Sequence, residues 1–264
     1  MKQKFLYPIF LLAACLLSLS AHATQPEEAD TIRIMSYNVH NFVGMDRVRD
    51  YGRIAGVVNE AGPDIVAIQE ADSATLRSEG AYTLKELSDR TGLYPTYAPA
   101  IDYQGGKYGI GILSKEKPIG IRTIPLPGRE EKRVLLIAEF EDYVFACTHF
   151  SLTADDQLAS VALIREAIKE ETKPLFLAGD MNSIPGSPPQ VALQEIFDIL
   201  SDPGVYTSPS VSPDCCIDYI YGYKNKHTYI VLRQEVVDER VASDHLPLFV
   251  DVCLSGRGPA GIEE

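Results

Sequence analysis

Short apolar runs that stop abruptly at a polar residue recur along this chain, and between them apolar residues fall at every third or fourth position. The first pattern predicts buried strands, the second amphipathic helices laid against them. Thr31–Tyr37 alternates and ends in Asn38-Val39-His40-Asn41. Val48, Tyr51, Ile54, Ala55 and Val58 then predict a helix that stops at Gly62-Pro63. Asp64–Glu70 is a second buried run closed by a carboxylate, and residues 72–91 predict a helix with Leu76, Leu84 and Leu87 in the core. From Tyr94 to Val144 the pattern turns to strands, at Tyr108–Leu113, Pro118–Ile124, Arg133–Phe140 and Tyr143–Thr148, with an exposed charged turn at Gly128–Lys132. Thr153 stands where a helix cap belongs, ahead of Asp155, Asp156 and a face of Leu158, Val161, Ala162 and Ile168. Leu175–Asp180 is a strand, Val191–Ile199 a short helix, and Cys216–Tyr221, Thr228–Leu232 and Leu246–Cys253 are the last strands.

Helix-linked and hairpin-linked strands thus occur in both halves of the chain. Two mixed sheets packed face to face, with helices outside, accommodate them in one α/β (α+β) domain over residues 31–253. Residues 1–23 read as a signal peptide: Lys2 and Lys4, an apolar run from Phe5 to Leu19, then Ala21-His22-Ala23. Cleavage near Ala23 is favoured over lipoprotein processing at Cys15, because the chain stays apolar after that cysteine. Export follows either way, to the periplasm, the outer surface or the medium. Residues 24–30 form a polar leader, and 254–264 a tail.

Charge and cysteine count narrow the partners. The chain of 264 residues holds 24 Lys and Arg against 37 Asp and Glu; removing Lys2 and Lys4 with the signal leaves 22 against 37, a net charge of −15. Such a balance disfavours a basic face for nucleic acid, although a bound cation can reverse the field locally. Cys147, Cys215, Cys216 and Cys253 fit no zinc spacing, and they leave free thiols and one disulfide both open. The sequence implies no stable protein partner, and a monomer is expected.

Five strand ends carry side chains capable of chemistry: Asn38, Glu70, His149, Asp180 with Asn182, and Asp244 with His245. Ligands gather at the carboxyl ends of strands in open α/β sheets. Singly, each has an ordinary structural role: a turn for Asn38, a helix-start charge for Glu70, a satisfied core histidine for His149. All of them at strand ends together are hard to explain as structure alone. Asp218 lies inside the apolar run Ile217–Ile220, where a lone carboxylate costs on the order of several kcal/mol unless paired. An imidazole is its best partner, so Asp218 is expected to hydrogen-bond His245 and fix its tautomer. Carboxylate and amide oxygens without cysteine ligands suit Mg²⁺, with Mn²⁺ possible, better than zinc.

Seven segments in order carry a resemblance: Tyr37-Asn38, Ile68-Gln69-Glu70, Tyr108–Ser114, Thr148-His149, Gly179-Asp180-Met181-Asn182, Ile217–Ile220 and Ser243-Asp244-His245-Leu246-Pro247. Together they resemble the motif set of the endonuclease/exonuclease/phosphatase superfamily, over essentially the whole mature chain; Met181 stands where that motif commonly has Phe. The resemblance implies a DNase I-like four-layer α/β/β/α sandwich and Mg²⁺-dependent phosphoester hydrolysis by in-line attack of water. It implies Glu70 as principal metal ligand with Asn38 and Asp244 beside it. Asp180 and Asn182 would orient the water, or Asp180 protonate the leaving oxygen. His245, paired with Asp218, would be general base or phosphate-polarising group, His149 a phosphate ligand or proton-transfer aid, and Tyr108 a phosphate contact.

The substrate class stays open. A nuclease needs basic side chains near the site, for which Arg129, Lys132, Arg133 and Lys107 are candidates. A sphingomyelinase-like phosphodiesterase acting on a phospholipid head group needs an exposed apolar docking segment, for which Tyr94–Ile101 is the nearest candidate. An inositol or sugar phosphate phosphatase needs converging Lys and Arg around a pocket. A catalytically silent binding module on the same fold is the non-enzymatic alternative. Phosphodiesters are favoured over monoesters.

Overall fold

The computed structural model describes residues 31–255. The expected signal peptide, the alternative processing site at Cys15, the expected leader and the part of the expected tail after Ser255 lie outside the described residues.

Among the described residues, twelve strands form two six-stranded sheets. The first holds β1 (Thr31–Asn38), β2 (Ile65–Ser73), β3 (Tyr94–Tyr103), β4 (Gly106–Ser114), β11 (Thr228–Val236) and β12 (Leu248–Ser255), in the order β11-β12-β1-β2-β4-β3. The second holds β5 (Gly120–Leu126), β6 (Arg133–Glu139), β7 (Val144–His149), β8 (Leu175–Asp180), β9 (Phe197–Ile199) and β10 (Asp218–Tyr223), in the order β5-β6-β7-β8-β10-β9. Each sheet contains one parallel pair, β1–β2 and β7–β8. Helix α1 (Tyr51–Ala61) makes the first crossover and α3 (Ala154–Ile168) the second; α2 (Thr83–Thr91) and α4 (Pro188–Gln194) complete the outer layers.

Strand alternation builds three cores. Ile32, Ile34, Ile65, Ala67, Phe145, Cys147, Phe176 and Ala178 point between the sheets. The opposite faces of the same strands send Met35, Tyr37, Val66 and Ile68 under α1 and α2, and Val144, Ala146, Leu175 and Leu177 under α3 and α4. The order of layers is therefore α/β/β/α, and the central strands are apolar on both faces because both faces are covered.

Several element boundaries differ from the sequence expectation. Val48 is exposed, and α1 starts at Tyr51, where Asp50 accepts from the Arg53 amide at 3.0 Å. The helix expected over 72–91 shrinks to α2: β2 continues to Ser73, and residues 74–81 form a loop tied to Asp72 by Thr75 and Arg77, with Ser78 bonded to Thr75, which leaves Leu76 exposed. Helix α3 buries Gln157, Ser160, Val161 and Ile164 while Leu158 faces outward, and Thr153 makes no side-chain cap. Helix α4 begins at Pro188, as proline at a first helical turn permits, and Phe197–Ile199 is strand rather than helix. Strand β3 contains Pro95 and Pro99, tolerated because it is an edge strand. All four described cysteines are free thiols.

Candidate active site

Chain direction brings the chemistry to one end. β1 ends at Asn38, β7 at His149 and β8 at Asp180, the carboxyl ends of the parallel pairs. β10 runs antiparallel to β8 and begins at Asp218 directly opposite Asp180. β12 runs antiparallel to β1, so the loop carrying Asp244 and His245 enters at the same end. Glu70 sits at an irregularity of the β2–β4 ladder between Ile68 and Ala71, with φ of 61°, a left-handed backbone uncommon for a residue other than glycine.

Side-chain contacts then join the two sheets. Asn38 Nδ2 donates to Glu70 Oε1 at 3.0 Å and to Asp180 Oδ2 at 3.1 Å. The Asn182 amide donates to Asp180 Oδ1 at 2.9 Å, while Asn182 Nδ2 donates to the Phe150 carbonyl at 3.0 Å. His245 Nδ1 donates to Asp218 Oδ2 at 2.8 Å, and its Nε2 lies 3.7 Å from Asp180 Oδ2. His149 Nε2 lies 3.5 Å from that same oxygen. Asp244 is half-exposed; its carboxylate stands 3.9 Å from His40 Nε2 and raises the pKa of Glu70. Tyr108 is buried within the electrostatic reach of Glu70, so its hydroxyl stays protonated.

The buried charges set the protonation states. Burial, then the charge of Asp218, pushes Asp180 up to about 7, against the pull of His245 and of its hydrogen bonds. Burial alone would lower His245, but Asp218 and Asp180 on either side raise it to about 10. Burial, then Arg133 and His245, holds His149 well below the usual imidazole range. Burial and the charge of Asp244 raise Glu70, against the Asn38 hydrogen bond. The site thus pairs a carboxylate that titrates near neutrality with one charged and one neutral imidazole.

The oxygen donors of Glu70, Asn38 and Asp244 fit a hard divalent cation. Glu70 carries negative charge that its neighbours leave poorly compensated, which a cation at that point would offset. Ligand atoms of Asp180, Asp218 and His245 also lie within 4.8 Å of one another, a spacing that could hold an ion, although the Asp218–His245 hydrogen bond already engages the imidazole Nδ1.

The structure adds residues that sequence reading missed. Thr207 donates its hydroxyl to Asp218 Oδ2 at 2.6 Å, although nothing in its own neighbourhood along the chain marks it. His40, along the chain only part of a strand exit, stands with Nε2 3.9 Å from Asp244. Arg133, read as a candidate substrate contact, is buried and donates to His149 Nδ1 at 3.1 Å. Of the other candidates, Arg129 bonds Asp156 at 3.2 Å and Lys107 pairs with Asp102, while Lys132 is exposed. Gly128–Lys132 is more than a free turn, since Glu130 accepts from the Leu152 amide at 2.7 Å. Tyr94–Ile101 is part of β3, and Tyr94 lies at the end of the sheet away from the site. Exposed apolar side chains stand instead on the site-end loops, among them Leu76, Leu152, Ile184, Tyr206, Val211 and Val241.

The profile of the Endonuclease/Exonuclease/phosphatase family matches residues 35–245. No curated protein matches the chain by sequence. Among solved structures, the chain is similar to an endonuclease/exonuclease/phosphatase from Beutenbergia cavernae DSM 12333, at 22% identity over 86% of this chain and 72% of that one, with a TM-score of 0.70. It is similar to the mannosyl-6-phosphatase Bt3783 of Bacteroides thetaiotaomicron VPI-5482, at 17% identity over 84% and 99%, TM-score 0.66. It is also similar to the human Nocturnin catalytic domain with bound sulfate, at 19% identity over 88% and 100%, TM-score 0.65. At these identities the likeness is one of fold.

Proposed function

The chain belongs to the endonuclease/exonuclease/phosphatase family, and from that premise we propose that it is an exported, Mg²⁺-dependent phosphoesterase that hydrolyses phosphodiesters by in-line attack of water. The observation that carries this reading is the array His149–Asp180–His245–Asp218 set against Asn38 and Glu70.

Glu70, Asn38 and Asp244 would hold the cation, which supplies charge neutralisation and polarisation of the phosphoryl group. Asp180, titrating near 7, accepts the proton of the attacking water. Asn182 fixes the Asp180 carboxylate through its backbone amide. His245 is charged and its Nδ1 is spent on Asp218, so it acts as a donor to a phosphoryl oxygen through Nε2 rather than as the base. His149 offers a second Nε2–H from a neutral ring, and the protonated hydroxyl of Tyr108 stands close by.

Charge pairing favours diesters. Arg77 is held by Asp72, Arg133 by Glu131 and Arg129 by Asp156, so these three arginines are already neutralised. A monoester dianion needs more uncommitted cation than a diester monoanion does. The test compares bis(p-nitrophenyl) phosphate with p-nitrophenyl phosphate, in Mg²⁺ and in EDTA, beside Asp180→Asn. Mg²⁺-dependent turnover of the diester, lost in the variant, is expected. Preferential turnover of the monoester would overturn the diester assignment, and full activity in EDTA the metal. Supercoiled-plasmid nicking then separates a nuclease from other phosphodiesterases.

The apolar side chains on the site-end loops favour a second reading, a diester in a phospholipid head group. Release of the head group from zwitterionic vesicles, with no nicking of plasmid, would select it. Export rests on Lys2, Lys4 and the apolar run before Ala23. Amino-terminal sequencing of the protein from its native envelope should begin at Thr24; a chain beginning at Met1 would overturn export.

A further inference from the structure

His149 is buried, yet the ring is held from one side by an arginine. Arg133 stands on the first residue of β6, and His149 on the last residue of the neighbouring β7. We propose that Arg133 is a positioning residue for catalysis: it keeps Nδ1 of His149 a hydrogen-bond acceptor, so that the ring presents Nε2–H to Asp180 and to a bound phosphoryl group.

A guanidinium has no acceptor, so in the 3.1 Å contact between Arg133 Nη1 and His149 Nδ1 the arginine must donate. A lone pair committed to that bond cannot also take a proton. The one proton of the neutral ring is then on Nε2, the nitrogen 3.5 Å from Asp180 Oδ2. The arginine is itself clamped. Glu131 Oε1 lies 2.7 Å from Nη1 and Glu130 Oε1 3.7 Å from Nη2. Glu130 is fastened in turn to the Ser151 hydroxyl at 2.9 Å and to the Leu152 amide at 2.7 Å, just beyond His149. Gly128 lets this bracket close, since a Cβ there would stand 1.9 Å from the Glu131 carbonyl oxygen. Charged groups therefore face His149 from several elements: Arg133 of β6 with Glu130 and Glu131 of the loop before it, Asp180 of β8, and His245 of the loop before β12. Without Arg133, Nδ1 would lose its donor and be free to take a proton, with the Asp180 carboxylate 3.5 Å from Nε2.

The kinetic arm of this proposal rests on the phosphoesterase reading, while the spectroscopic arm does not. The experiment is ¹⁵N NMR of the histidine rings in metal-free full-length protein, for wild type, Arg133→Met and Arg133→Lys, from pH 8 down to pH 5. Wild type should show His149 neutral with Nε2 protonated throughout. Arg133→Met should show the doubly protonated ring within that range, and Arg133→Lys, which keeps a donor and a charge, should restore the neutral signature in part. On the preferred phosphodiester, kcat of Arg133→Met should fall about 10–100-fold with KM nearly unchanged, and Arg133→Lys should recover part of it. If Arg133→Met folds and keeps the neutral Nε2–H ring down to pH 5, the proposal is overturned, whatever the activity. If the ring changes as expected but no phosphoester is turned over by wild type, the assigned reaction fails and the Arg133–His149 relationship stands.

Discussion

His245 donates through Nδ1 to Asp218 Oδ2 at 2.8 Å, and both groups are buried. The two residues are 27 positions apart and come from different sheets, Asp218 from β10 and His245 from the loop into β12. The bond therefore fastens the second sheet to the first at the site. Asp218→Asn should leave a folded protein, by far-UV circular dichroism, whose kcat is lower by about 10²–10⁴-fold. Turnover at the wild-type rate would show that the pair is not used.

Thr207 shares the same carboxylate oxygen, at 2.6 Å, and accepts from the Asp218 amide at 3.3 Å. Thr207→Val keeps the shape and removes the hydroxyl. One lost hydrogen bond is worth about 1 kcal/mol, so kcat should drop about fivefold with KM steady. Steady-state kinetics on the preferred diester checks this.

Two pH windows should be separable in stability. His245 is raised from 6.5 to about 10, so its contribution is complete below pH 6.5 and is lost as pH climbs through about 10. Asp180 is raised from 3.8 to about 7, so the folded state loses stability as pH rises across that lower interval. Urea titrations in EDTA should show His245→Gln flattening the slope between pH 6.5 and 10, and Asp180→Asn flattening it between pH 4 and 7. The same slopes in wild type and variants would contradict both assignments.

Saturating Mg²⁺ should raise thermal stability, since a ligand at about 100 times its Kd adds about 2.7 kcal/mol. Glu70→Gln removes the central carboxylate and should abolish the shift in a calorimetric scan, with EDTA returning the wild type to its metal-free Tm. An unchanged shift in Glu70→Gln would place the cation elsewhere.

Gly179 immediately precedes Asp180 and pairs with Thr148 of β7. A Cβ at this position would stand 2.0 Å from the Thr148 carbonyl oxygen. Gly179→Ala must therefore part the strands that carry His149 and Asp180. A loss of about 3 kcal/mol is expected, at the upper end for overpacking, measured by urea denaturation.

Much of the site is legible in the sequence. Asn38, Glu70, His149, Asp180 and His245 each end an apolar run or lie close to a strand boundary, and a buried Asp218 demands a partner. Those are local signals, because burial on both faces leaves strand sequences apolar until they reach the mouth. Boundaries were less legible where local pattern was overruled. Leu76 looks like a core residue, but the hydrogen bonds of Asp72, Thr75 and Arg77 turn the chain into a loop. Phe197 looks helical until β10 offers it a strand to pair with.

The sequence by itself determined the run of strands and helices, the two-sheet class and the acid–histidine inventory, since these depend on periodicity and residue type. Only the tertiary structure decided who faces whom. Arg133 bonds to His149 across neighbouring strands, Thr207 reaches Asp218 from a loop, and His245 comes to lie between two carboxylates. Those pairings follow from strand register and chain direction, which are set by packing both sheets on one shared core. They also fix the protonation states, because the charge on a buried group depends on its neighbours in space rather than on its neighbours along the chain.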